Sequence, residues 1–258
     1  WVDVINGCFE HPPPRLMGGS WGLHLVLPRK AAGPKGSLYS EARQDRRPYF
    51  VLAWDERVLV GTTDVPLPAE AHLDTLKAEP WEESYLLDEL NALYPHAGYA
   101  PDEVEWRTLG IRPLPRSDRA AAAVTRRHFL VDHRRDGLDG VASLVGGKLT
   151  TFRSLAEEAV DWAAAFLKRR DAVCRTREPA VSSMTPGNSR RERIYGPAVR
   201  EIEERERRNP DQRASLAPGC PASLAEARHA VECEFARTPD DLILRRLMLL
   251  PPRQEWLD

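Results

Sequence analysis

The sequence predicts an α+β protein whose last third is all-helical, and three observations lead there. Strand-like segments, one helix, further strands and a second helix follow in blocks, where a parallel doubly wound sheet needs regular alternation. Turn-forming residues separate short apolar runs at hairpin spacing. After about Arg175 the composition shifts, with a Ser/Thr/Pro/Gly linker over 181–189 followed by charge-rich stretches of helical character.

Each element has its own local reason. Pro12 to Pro14, Gly18 and Gly19 interrupt the start, and Leu23-His24-Leu25-Val26-Leu27 then reads as a short buried strand. Arg29 to Arg47 is polar with Gly and Pro, and is expected to be a loop. Residues Tyr49 to Trp54 and Val58 to Gly61 read as strands joined by a hairpin at Asp55-Glu56-Arg57. The proline-bearing residues 65–80 are expected to cross irregularly. From Trp81, the residues Tyr85, Leu86, Leu87, Leu90 and Leu93 fall at helical spacing until Pro95. Val104 to Leu114, His128 to Asp132 and Val141 to Val145 read as strands. Leu149 to Arg170 is predicted as a long helix with Leu155, Ala159, Trp162, Ala163 and Phe166 on one face. In the tail, Val199 to Arg208 is too polar to be buried all round, and Ser223 to Ala236 is amphipathic. Thr238-Pro239-Asp240-Asp241 is an N-cap with proline at the first helical position, opening Leu242 to Leu250.

Bulk composition limits the function. In 258 residues, 42% hydrophobic content is enough for a real core. The formal net charge of -2, from 37 basic and 39 acidic residues, gives no overall field for nucleic acid, so nucleic-acid partners are not expected. Any anion site must be local. The four cysteines and seven histidines form neither a C-x-x-C pair nor a zinc-like spacing, so no metal is expected and the thiols read as those of a reduced, cytosolic protein. No run of 18 or more apolar residues is present, and neither is a signal-peptide pattern.

Local chemistry concentrates in two places. Gly146-Gly147-Lys148-Leu149-Thr150-Thr151 follows an apolar strand and opens a helix. Glycines there allow close backbone approach, and the helix start presents unpaired N–H groups to a phosphate or to the electron-rich edge of a reduced flavin. It lacks Walker spacing, and a plain strand-to-helix turn with a surface lysine stays open. The second place is arginine in apolar company, Arg112 in Gly110-Ile111-Arg112-Pro113-Leu114 and Arg126 in Val124-Thr125-Arg126. Their planar forks suit a carboxylate or phosphate, or a structural ion pair. His24, inside an apolar strand, reads either as a satisfied core histidine or as a base.

In this order, Gly22-Leu23-His24-Leu25-Val26-Leu27-Pro28, Gly61-Thr62-Thr63-Asp64, Gly110-Ile111-Arg112-Pro113-Leu114, Thr125-Arg126 and Gly146-Gly147-Lys148-Leu149-Thr150-Thr151-Phe152-Arg153 resemble the FAD-dependent, quinone-linked glycerol-3-phosphate dehydrogenases. Glu232 to Ala236 and Asp240 to Arg246 extend the likeness into that family's helical C-terminal domain. The resemblance implies an antiparallel or mixed cap sheet over FAD, with a returning strand-turn-helix of the FAD-binding domain. It implies residues 1–20 as part of that FAD-binding domain, 21–136 as the substrate cap, 137–178 as the returning strand and helix, and 179–258 as the helical domain. No G-x-G-x-x-G occurs in the sequence, so the pyrophosphate grip is expected to lie outside these residues, and the chain alone is not expected to retain FAD or activity.

The resemblance further implies that Arg112 and Arg126 hold the anionic substrate, with His24 facing it. Lys148 would sit where substrate and flavin meet. Gly147, Lys148, Leu149 and Thr150 would line the flavin, the last two through their backbone N–H groups. His24, Arg112 and Lys148 are the expected catalytic residues. Trp21 stands where the family usually has lysine. The implied reaction oxidises sn-glycerol 3-phosphate to dihydroxyacetone phosphate and passes electrons to the quinone pool. The resemblance places the protein in the cytoplasm, peripherally on the inner face of the cytoplasmic membrane, and allows a homodimer. Two alternatives stay open: a non-catalytic module binding a phosphate ester or a partner, and an amine or amino-acid oxidase of the same broad fold.

Overall fold

A computed structural model describes residues 1–54, 56–68, 73–117, 127–169, 173–177, 187 and 189–249. The chain divides into two compact units, Trp1–Arg177 and Glu178–Asp258.

The first unit is built on strand β1 (Ser20–Pro28). One edge of β1 pairs antiparallel with β4 (Arg57–Gly61) and the short β5 (Val65–Pro66), and the other with β6 (Trp106–Arg112). Beyond β4 lie β3 (Pro48–Trp54) and β2 (Leu38–Glu41), also antiparallel. The sheet is therefore the antiparallel type expected. Strand β2 corrects the expectation of a loop over residues 29–47: its residues are almost all exposed, so it carries no apolar alternation and exists through its ladder with β3.

Strand alternation sorts β1 into two faces. Leu23, Leu25 and Leu27 join Val51, Val58 and Val60 and pack on Tyr85, Leu86 and Leu90 of α2 (Pro80–Leu93). Helix α2 begins with proline in its first turn and a capping box between Glu79 and Glu82. Its Glu82 and Glu89 are buried on the packed side, where a sequence reading places charges outward. Glu82 is satisfied there by the Trp21 indole N–H at 3.1 Å, the Glu79 amide at 2.7 Å and the Thr63 hydroxyl. The opposite face carries Ser20, Gly22 and His24, with Arg112, Gly110 and Thr108 beside them on β6.

A separate hairpin of β7 (Phe129–Asp132) and β8 (Ala142–Val145) leads into α3 (Phe152–Phe166). The expected helix face meets the hairpin: the Trp162 indole donates to Asp132 Oδ2 at 2.9 Å. Residues 149–151 form a 3-10 turn, and the helix stops at Phe166, short of the expected Arg170. At the N-terminal end, α1 (Val2–Asn6) docks on β8 through Asn6 Nδ2 and Ser143 Oγ, 3.1 Å apart. Ser143 Oγ lies 2.8 Å from His133 Nε2, and His133 Nδ1 lies 2.7 Å from Asp136. His133 is fully buried, so this Ser-His-Asp array pins three segments together.

The second unit consists of α4 (Arg190–Tyr195), α5 (Val199–Arg208), α6 (Leu224–Cys233) and a π-helical turn, Asp241–Arg246. Ser189 and Ser223 cap α4 and α6 by accepting from the Glu192 and Glu226 amides. The expected cap before residue 242 is present, with the Asp241 amide donating to Thr238 Oγ1 at 3.1 Å. The buried Glu226 binds Arg190 at 2.6 Å and Arg191 at 3.2 Å. Among the described residues no helix is long and apolar enough to cross a membrane.

Candidate functional site

Two glycines shape the open face of the sheet. Gly61 lies directly across from His24, and a Cβ there would come within 2.5 Å of the imidazole Cδ2. Gly22 lies across from Gly110, and a Cβ on it would meet the Arg112 guanidinium at 2.5 Å. Glycine at these positions lets the imidazole and the guanidinium lie flat on the sheet, where any side chain would displace them.

Arg112 is held by an array of acceptors. Its Nη1 donates to Ser20 Oγ at 3.2 Å, the Trp21 carbonyl at 3.0 Å and Asp64 Oδ1 at 2.9 Å. Its Nη2 donates to Thr62 Oγ1 at 3.2 Å and the Thr63 carbonyl at 2.8 Å. Asp64, 7% exposed, also meets Arg47 at 2.7 Å, so one carboxylate is shared by two guanidinium groups. Burial by itself raises the Asp64 pKa, but hydrogen bonds from Ser20 and Arg47 and the charges of Arg112 and Arg47 outweigh it and hold the carboxyl below its usual range.

His24 is shifted the other way from a charged histidine. Burial first, and then the positive charge of Arg112, lower its pKa below the ordinary 6.5. At neutral pH the face therefore presents a neutral imidazole beside a cationic, carboxylate-bridged arginine pair. A neutral imidazole can accept a proton, and Asp45, 3.3 Å from Arg47, brings the two arginines into charge balance with Asp64.

The glycine-lysine segment forms a second group. Val145 ends β8 in the interior, and Gly146 and Gly147 then take left-handed conformations at φ 74° and 97°. A Cβ on Gly146 would lie 2.8 Å from the Arg127 carbonyl. The Lys148 amide donates to Thr151 Oγ1 at 3.2 Å and the Thr151 amide to the Lys148 carbonyl at 2.9 Å, which closes the turn. Leu149 is 89% exposed and Thr150 is exposed. Amides in a first helical turn have no intrahelical acceptor and form the positive end of the helix. Beside them Lys148, His128, Phe129 and Ser154 line a hollow of about 670 Å³.

This donor set fits the electron-rich edge of a flavin. The Leu149 and Thr150 amides would hold it, the Lys148 ammonium would face the same edge, and Gly147 would permit close approach. The fit concerns the ring alone.

The structure thus sets His24 and Arg112 together on the sheet, and Gly147, Lys148, Leu149 and Thr150 together on the turn. Neither His24 nor Arg112 lines the hollow beside the turn. Arg126 lies outside the described residues. Trp21 is 6% exposed with its indole on Glu82, on the core side of β1, so its replacement of lysine leaves the charge of the open face untouched. Sequence reasoning missed Asp64 and Arg47 as partners of Arg112. The Gly61-Thr62-Thr63-Asp64 segment was the available signal, since a strand end followed by two hydroxyls and a carboxylate offers acceptors to a nearby cation.

Known proteins resemble the chain over most of its length. Residues 190–254 match the family described as the C-terminal domain of alpha-glycerophosphate oxidase. A glycerol-3-phosphate dehydrogenase of Synechocystis sp. is 33% identical over 277 aligned residues, covering 95% of this chain and 49% of that protein. An aerobic glycerol-3-phosphate dehydrogenase of Escherichia coli is 36% identical over 168 residues, covering 62% of this chain and 32% of that protein. The crystal structure of the glycerol-3-phosphate dehydrogenase from Bacillus halodurans complexed with FAD superposes with a TM-score of 0.71 at 22% identity, over 96% of this chain and 51% of that one. The chain spans about half the length of these full-chain matches. In sequence and in fold, the chain is related along nearly its whole length to the C-terminal part of the glycerol-3-phosphate dehydrogenases.

Proposed function

We propose that this chain provides the substrate cap and the flavin-edge turn of an FAD-dependent enzyme that oxidises sn-glycerol 3-phosphate to dihydroxyacetone phosphate. Residues 21–136 would form the cap, 1–20 and 137–178 would belong to the FAD-binding body, and 179–258 would be a helical module outside the chemistry. The observation that carries the reading is the neutral His24 imidazole beside Arg112 on a glycine-opened sheet face.

Oxidising a secondary alcohol requires a hydride to leave carbon and a proton to leave oxygen. Bound FAD supplies the two-electron acceptor for the hydride. His24, held neutral, would take the hydroxyl proton at its unprotonated ring nitrogen. Arg112, together with Arg126, would draw and orient the phosphate dianion. Arg112 is tied to Asp64, so its position is set before substrate arrives. Lys148 would place its ammonium between the phosphate ester and the flavin edge. Electrons would pass on to quinone, which would bring the full-length protein peripherally to the inner face of the cytoplasmic membrane.

The test is anaerobic flavin reduction in the full-length enzyme. His24→Asn should slow reduction by glycerol 3-phosphate by roughly 100-fold or more, the usual contribution of a general base. Wild-type rates in that variant would remove His24 from the chemistry and the proposal with it.

A further inference from the structure

The second unit holds a side-chain cluster that the oxidation reading leaves unused. His229 and Cys233 lie one turn apart on α6, and Glu201 faces them from α5. One ligand atom from each lies within 4.8 Å of the others. We propose that these three residues bind a zinc ion, with water in the fourth position.

The histidine supplies the observation that points to a ligand. His229 is 3% exposed, and its Nδ1 is buried without a hydrogen-bond partner. The nearest carboxylate oxygen, Glu201 Oε2, stands 3.9 Å away, too far for a hydrogen bond. A buried ring nitrogen left unpaired is costly, and a metal ion between it and its neighbours would satisfy it.

Geometry and charge agree. Tetrahedral zinc with bonds of about 2.0 to 2.3 Å sets its ligand atoms roughly 3.3 to 3.6 Å apart. The cluster, at up to 4.8 Å, is wider by up to roughly 1.2 to 1.5 Å. Glu201 and Cys233 are exposed and free to close that gap, whereas the buried His229 is held edge-on against the Tyr195 ring at 5.9 Å. A thiolate and a carboxylate neutralise a dication, and imidazole with thiolate suits zinc better than magnesium or calcium. Arg205 donates to Cys233 Sγ at 3.7 Å and so orients the sulfur from outside the cluster, and its own charge is matched by Glu232 at 2.6 Å. The exposed side adjoins a hollow of about 640 Å³ lined by Glu201, Glu204, Arg200, Arg205, Arg207 and Arg208, which would admit water to the fourth position.

The sequence spacing excluded a zinc motif because two ligands come from one helix and the third from another, 28 residues before the first of them. Only the packing of α5 on α6 brings them together.

The whole chain, reduced and stripped with a chelator, would be titrated with Zn²⁺ and separately with Co²⁺. The expected result is one equivalent bound at micromolar concentration, with a thiolate-to-cobalt charge-transfer band. Cys233→Ser should abolish the band and weaken zinc by at least about tenfold, the smallest loss that even an outer-shell change brings at a metal site. Glu201→Gln, at an exposed position that does not endanger folding, should also weaken zinc, and Cys174→Ser should leave binding and band intact. Absence of binding, binding that survives Cys233→Ser, or a site that follows Cys174 would overturn the proposal. Full affinity in Glu201→Gln would overturn the three-ligand site.

Discussion

Arg112 and Asp64, 48 residues apart in sequence, form a 2.9 Å charge-assisted hydrogen bond that fixes a guanidinium over the backbone of a neighbouring strand. The same carboxylate binds Arg47. Asp64→Asn keeps the shape and removes the charge, and should lower stability by roughly 1.5 to 3 kcal/mol. Because the Asp64 pKa is lowered in the folded protein, its contribution is complete above the unfolded carboxyl's pKa and lost as pH falls through the folded value. Acid unfolding of the variant should therefore show a shallower loss below about pH 4 than wild type, measured by denaturant midpoints across pH.

Arg112→Ala tests a different point, since the residue serves both scaffold and proposed substrate. The full-length enzyme should lose roughly ten- to a hundredfold in kcat/KM for glycerol 3-phosphate. Its melting temperature should fall as well, because five acceptor contacts disappear together. Arg126→Ala, if Arg126 holds phosphate alone, should lower kcat/KM with glycerol 3-phosphate and spare the reaction of unphosphorylated glycerol. Equal losses on the two alcohols would make Arg126 a scaffold residue.

For His24 the expected pH dependence has a definite sign. Its folded pKa is depressed, so the folded protein binds fewer protons than the unfolded chain just below pH 6.5. Stability from this group is complete above that pH and falls as pH drops toward the folded value. The acidic limb of flavin reduction should likewise lie below pH 6.5, and a limb at or above it would contradict a buried, arginine-shifted imidazole.

How far the sequence foretold the structure depends on how each residue is satisfied. Strands β1, β3 and β4 were readable because Leu23, Leu25, Leu27, Val58 and Val60 alternate into one core. Strand β2 was not, since Leu38 to Glu41 bury almost nothing and are held by the ladder with β3 and by exposed contacts such as Tyr39 on Phe50. Glu82 and Glu89 on α2 broke the expected rule that charges face water, because their partners come from residues distant in sequence. The end of α3 was overrun because no Gly or Pro stops it. The chain turns instead through Lys168 at φ 58°. For the site, the motif around Gly147 and Lys148 and the position of His24 were legible, while the Asp64 and Arg47 partners of Arg112 required the fold.

The array of buried Ser143 and His133 with the exposed Asp136 offers a stability test away from the site. Ser143→Ala removes hydroxyl bonds to His133 and Asn6 and should cost about 1 to 3 kcal/mol, the penalty for leaving buried partners unsatisfied. Flavin reduction in the folded variant should be unchanged. In the second unit, Glu226→Gln takes the buried anion from Arg190 and leaves Arg191 with Glu206 alone, and should cost about 3 kcal/mol. A calorimetric trace of each variant would show the loss.

Strand β1 is hydrogen-bonded along both edges and buried on its inner face, whereas the turn at Lys148 stands in solvent. Hydrogen exchange should divide accordingly, with β1 amides released only when the whole sheet opens and those of residues 148–151 released by local fraying. The two groups of the proposed site would thus differ in stiffness. The imidazole rides on the part of the chain that opens last, so its alignment is preset, and the glycine-lysine turn is the part with freedom to settle onto whatever ring is placed against it.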